Sequence, residues 1–104
     1  MEQVEGVDED LSRAVIVWTG FGLCPTPTRS GDRLIEEFGC EAALDLLPRV
    51  TALEDSFYMS DARLTAPDLD SMGAAASAEF REIHPEISAL AVQALAWCYT
   101  YDYK

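Results

Sequence analysis

The sequence predicts an all-α fold, a compact single domain of about five helices spanning residues 1–104. Three observations carry that expectation. Apolar residues recur at i, i+3, i+4 and i+7 along most of the chain, which is the period of a helix with one buried face. Asp, Ser or Thr precedes most of these stretches and Gly or Pro follows several, as helix starts and stops require. The β-branched run Val15-Ile16-Val17-Trp18 has no second clear strand to pair with. At 104 residues and 49% apolar, the chain can fill one core but not two.

Asp8 is a good N-cap for the first helix, and Glu9 and Asp10 suit the positive end of its dipole. Leu11, Ala14, Val15 and Trp18 follow as the inward face, with Gly20 and Gly22 closing the element. Residues 1–7 form an acidic lead, expected to be flexible. Pro25, Pro27, Ser30 and Gly31 make residues 23–31 an extended loop, because proline fixes its own φ and restricts its predecessor. Ser30 or Asp32 starts a short helix through Phe38, with Leu34, Ile35 and Phe38 inward and Gly39 as its stop.

Residues 41–58 carry the longest stripe: Ala43, Leu46, Leu47, Val50, Leu53 and Phe57. Pro48 interrupts it, so the helix either kinks there or divides in two; the unbroken stripe favours a kink. Residues 59–66 read as a connector. Thr65 or Ala66 caps the next helix, Pro67 lies in its first turn, and Leu69, Met72, Ala76, Phe80 and Ile83 face inward. The small residues Gly73 to Ala76 mark a close helix crossing. After His84-Pro85, Ser88 or His84 caps a last helix with Ile87, Leu90, Ala91, Ala94, Leu95 and Cys98 inward. The tail, residues 99–104, alternates aromatic and polar, so it is a fraying helix end or a short extended segment. The expected core is Val15, Trp18, Leu34, Phe38, Leu47, Val50, Phe57, Leu69, Phe80, Leu95 and Trp97.

Charge is the feature that bears on function. Nineteen acids against seven bases give a formal net charge of -12. Five of the acids fall in the first ten residues, whereas residues 11–30 contain only Arg13 and Arg29 as charged groups. Such a field repels nucleic-acid phosphates and anionic membrane and favours a basic partner. No apolar run approaches the roughly 20 residues of a membrane span. The acidic N-terminus is unlike a secretory signal, and Cys24, Cys40 and Cys98 form no closely spaced pair. A cytoplasmic protein with buried, reduced thiols is expected, with no cofactor and no metal site.

Chemical constellations are sparse. Cys24 and His84 supply the residue types of a thiol nucleophile and its base, but an acidic field raises a thiol pKa and opposes the thiolate. The neighbouring acids Glu36-Glu37, Glu54-Asp55 and Asp68/Asp70 suit exposed helix faces, and no EF-hand pattern develops from them. Gly20-Phe21-Gly22 with Thr26, Thr28, Arg29 and Arg33 makes a weak anion-binding candidate, lacking the Lys-Ser/Thr of a P-loop. Trp97, Tyr99, Tyr101 and Tyr103 gather aromatic groups that commonly anchor protein interfaces, and no basic groove accompanies them for nucleic-acid stacking.

The expectation is therefore a small acidic protein-binding or regulatory domain, inhibitor-like or a mimic of nucleic-acid charge, with no catalytic residue assigned. It would meet a basic partner through Glu36, Glu37, Glu54 and Asp55, with Tyr101 and Tyr103 as anchors. The alternatives are a small-molecule or anion-binding protein using residues 20–33, through Arg29 and Arg33, and a small enzyme.

Overall fold

The computed structural model describes residues 7–104; nearly all of the acidic lead lies outside the described residues. All regular secondary structure among the described residues is helical: α1 (Glu9–Thr19), α2 (Gly31–Phe38), α3 (Cys40–Phe57), the single turn α4 (Ala62–Thr65), α5 (Leu69–Ile83) and α6 (Ala89–Asp102). Helix α1 is the hub, packing on α2, α3 and α6, while α5 closes the far side against α3, α4 and α6.

The caps set the starts of the helices. Asp8 accepts the Leu11 N–H at 3.1 Å, Ser30 the Arg33 N–H at 3.4 Å, Asp68 the Ser71 N–H at 2.7 Å and Ser88 the Ala91 N–H at 3.2 Å. The bonds that Asp68 accepts hold its carboxyl below the usual range. Leu11, Ala14, Val15 and Trp18 are buried on α1, so Val15–Trp18 is helix rather than strand. The helix stops at Gly20, whose φ of 83° is left-handed; a Cβ there would lie 2.9 Å from Cys24 Sγ and 3.0 Å from Thr28 Oγ1.

Helix α3 runs unbroken through Pro48, so the two-helix alternative does not hold. Proline removes one intrahelical bond, the one Leu44 would receive, and an interior proline costs about 3 kcal/mol. Both Leu44 and Pro48 are exposed, where water can satisfy the freed carbonyl, and the buried stripe Ala43, Leu46, Val50, Leu53 and Phe57 holds the helix together.

Several expectations are corrected. Helix α5 starts at Leu69, not around Pro67. Ala66, preceding the proline, sits at ψ 143°, the extended region that proline imposes on its neighbour, and the cap passes to Asp68. The connector before it contains α4, and Ile35, Leu69, Ile83 and Leu90 are exposed instead of inward. Of the two readings left open for the aromatic tail, the helical one holds: α6 continues to Asp102. Tyr99 explains that: it is fully buried, packed on Phe57 and Tyr58, and its hydroxyl donates to the Ser60 carbonyl at 2.9 Å and accepts the Arg63 N–H at 3.0 Å.

The small-residue segment of α5 does meet another helix closely, since a Cβ on Gly73 would lie 3.2 Å from Thr100 Cγ2 on α6. Phe38 and Leu47 are half-buried and pack against the core, and Trp97, also half-buried, packs edge-on to Phe21. Of the thiols only Cys98 is buried; burial pushes it up to about 12. Cys24 is half-buried and Cys40, at the first position of α3, is exposed. Among the described residues, no helix is long and apolar enough to cross a membrane.

Candidate functional site

The residues singled out from sequence do not share one face. Glu54 turns inward to Arg29, whose Nε donates to Glu54 Oε2 at 2.8 Å and whose Nη2 donates to Asp102 Oδ2 and to Tyr58 OH, both at 2.9 Å. Tyr58 OH donates to Asp102 at 2.5 Å, closing a four-residue knot between the α1–α2 loop, α3 and the end of α6. Burial works against the Arg29 charge, but the bonds it donates to Asp102 and Glu54 outweigh that and raise its pKa. Burial first, and then the Asp102 bond, push the Tyr58 hydroxyl upward as well. Glu54 therefore belongs to a structural ion cluster, while its neighbour Asp55 faces solvent.

Arg33 serves the fold too. Its Nε donates to the Val17 carbonyl at 2.8 Å, and its Nη2 to the Trp18 carbonyl at 2.9 Å, the Thr28 carbonyl and Thr28 Oγ1. Val17 and Trp18 lie in the last turn of α1, where carbonyls lack intrahelical donors. Arg29 and Arg33 thus rivet the loop of residues 20–30 onto its neighbours, and Arg33 also lines a depression between α1 and α2. Tyr103 lies on Tyr58 and Tyr99 with the Arg63 guanidinium 5.2 Å from its ring, and Lys104 covers Tyr101 at 4.2 Å. Both tyrosines are partly exposed, at the opposite end of α6 from Leu90.

Glu36 and Glu37 have a different setting. With Arg33, whose donors are largely committed to carbonyls of α1 and the loop, they line one wall of a depression of about 440 Å³ between α1 and α2, whose other lining includes Ile16, Val17, Phe21 and the highly exposed Leu23. A second depression, about 530 Å³, continues along α1 past Glu9, Asp10 and Arg13 to Ser88 and Leu90. Ile16 lines both. The result is an apolar patch of Ile16, Val17, Phe21 and Leu23, with Glu36 and Glu37 on one side and Glu9, Asp10 and Arg13 toward the start of α1. The only sequence signal for it was negative: Ile16 and Val17 are apolar residues of α1 left over once the inward face had been assigned.

Two other constellations stand apart. A groove of about 400 Å³ between α2 and α3 is lined by Ile35, Cys40, Ala43, Leu44 and Leu47, with Asp32 as its charged member. Ser56 Oγ lies 3.1 Å from His84 Nε2, and His84 Nδ1 lies 3.3 Å from Glu86 Oε2. That order of hydroxyl, imidazole and carboxylate resembles a nucleophile with its base and orienting acid, which sequence reading, intent on Cys24, did not find. Ser56 sits within the last turn of α3, however. The nearby N–H groups of Tyr58, Met59, Ser60, His84 and Ile87 all donate to backbone carbonyls, leaving none of them to stabilise an oxyanion. With His84 stacked on Phe80 at 4.8 Å, the trio is a polar clasp joining α3 to the α5–α6 turn.

Among the described residues no group of three or more His, Cys, Asp or Glu side chains is arranged to hold a metal ion. Scanning protein-family models and searching curated proteins and solved structures returned no match to this chain.

Proposed function

We propose that this chain is a protein-binding domain that takes a basic partner on the α1–α2 face. The observation carrying this reading is the strip of Ile16, Val17, Phe21 and Leu23, walled by Glu36 and Glu37 and continued past Glu9 and Asp10. Apolar floor and acidic rim together suit a cationic partner with an apolar anchor: the floor supplies residence time, and the rim supplies attraction and register. The net charge of -12 extends that attraction over the whole surface. Three free cysteines, one of them exposed, support a reducing, cytoplasmic setting. A domain of this kind suits an inhibitor or regulator that occupies a basic site on another protein, including a site that would otherwise hold nucleic acid.

The test uses a synthetic cationic peptide of about 15 residues, roughly 22 Å as a helix, with leucines on one face and lysines on its flanks. Replacing Glu9, Asp10, Glu36 and Glu37 together by Gln or Asn should slow association about tenfold at low salt and flatten its dependence on ionic strength. Neutralising Asp55, Asp61, Asp70 and Glu79 removes the same charge away from the strip and should have the smaller effect. Equal effects of the two sets would show that only net charge matters and would remove the α1–α2 face from the reading. Tyr101→Ala with Tyr103→Ala should leave dissociation unchanged, because the tail lies apart from the strip.

A further inference from the structure

We infer that the Arg13–Glu37 ion pair is an internal stand-in for a cation of the partner, and that docking of a basic amphipathic helix displaces Arg13 and joins the two depressions into one channel. The inference rests on the reading of the α1–α2 face as a docking surface.

Position comes first. Arg13 lines the α1–α6 depression and Glu37 lines the α1–α2 depression, so their bridge spans the boundary at which both share Ile16. Arg13 Nε donates to Glu37 Oε2 at 2.8 Å, and Nη2 donates to the same oxygen. Both donors thus converge on one carboxylate oxygen, short of the two-oxygen fork that makes such pairs strong.

Exposure comes second. The Arg13 side chain is 61% exposed and that of Glu37 35%. An exposed pair of this kind contributes little to stability, so an incoming cation can exchange for it at little cost. Arg29 and Arg33 differ: each donates to three or more acceptors that tie separate elements together, so displacing either would open the fold.

The occupant follows from the surroundings. The described chain is helical, so it offers no sheet edge for an extended peptide to join; a groove between helices takes an amphipathic helix instead. The apolar strip asks for an apolar face, and Glu9 and Asp10 at one end with Glu36 and Glu37 at the other ask for cations on its flanks. A second copy of this chain would bring another -12 and few uncommitted bases. The mechanism is an exchange: Glu37 releases Arg13, accepts a lysine or arginine of the partner, and the freed Arg13 swings into solvent.

The experiment measures peptide affinity by fluorescence anisotropy, using the cationic amphipathic peptide and a scrambled peptide of the same composition. Arg13→Gln should tighten binding of the amphipathic peptide about two- to fivefold, the range set by an exposed pair. Arg81→Gln changes the net charge equally from α5, away from α1, and should give less than half that gain. In a Glu37→Gln background the Arg13→Gln gain should vanish, since no carboxylate is left to be freed. A gain that persists there, or that Arg81→Gln matches, overturns the exchange while leaving the docking surface standing. Wild-type binding of the scrambled peptide as tight as that of the amphipathic one overturns the docking surface itself.

Discussion

Tyr99→Ala is expected to lower stability by about 3–5 kcal/mol, the range for deleting a buried aromatic side chain, and thereby to leave the domain marginal. The ring is fully buried and contacts Phe57, Tyr58 and Tyr103 at centroid distances of 5.5, 5.2 and 5.0 Å. Its hydroxyl ties α6 to the Ser60 carbonyl and the Arg63 N–H at the start of α4. Tyr99→Phe keeps the ring and removes only those bonds, so it should cost about 1–2 kcal/mol. Urea unfolding followed by circular dichroism separates the two. Equal costs would mean that the hydroxyl, and not the packing, fixes the end of α6.

Arg29→Met carries the second large effect. The substitution keeps an unbranched apolar stem but leaves Glu54 and Asp102, both only partly exposed, facing each other beside Tyr58 without a cation. The expected loss is about 2 kcal/mol, between the value of an exposed pair and that of a fully buried one. Adding Glu54→Gln and Asp102→Asn to the variant should restore much of the loss, because the repulsion goes with the charges. Arg81→Gln, an exposed substitution on α5, should change stability by less than about 0.5 kcal/mol. An Arg29 variant as stable as the Arg81 variant would show that the knot contributes nothing to holding the loop of residues 20–30 against α3 and α6.

The helical architecture was legible because its signals are local. Asp8, Ser30 and Ser88 cap within three residues of their partners, and the stripes of α1 and α3 repeat within a few turns. Errors gathered where two local signals competed. Pro67 suggested a first turn, yet its restriction on Ala66 delayed the helix to Leu69. The alternation of Tyr99, Tyr101 and Tyr103 left helix and extended segment both open, and the fold decides for helix because Tyr99 and Tyr103 are also four apart and stack on one side of α6. The candidate site was far less legible. Glu54 and Asp55 read alike in sequence, and only the fold shows that Arg29, twenty-five positions earlier, claims the first and not the second. Glu36 and Glu37 were marked by charge alone. Their apolar floor comes from α1 and the following loop, brought together by the turn at Gly20 and the Arg33 bonds to Val17 and Trp18.

Amide chemical-shift mapping of the isotope-labelled protein, titrated with the cationic amphipathic peptide at moderate salt, locates the surface outright. The largest shifts are expected at Arg13, Ile16, Val17, Phe21, Leu23, Glu36 and Glu37, with Asp55, Asp70, Tyr101 and Tyr103 close to still. Shifts centred on Ile35, Cys40 and Leu44, on the C-terminal tyrosines, or spread over every acidic residue would contradict an α1–α2 docking face.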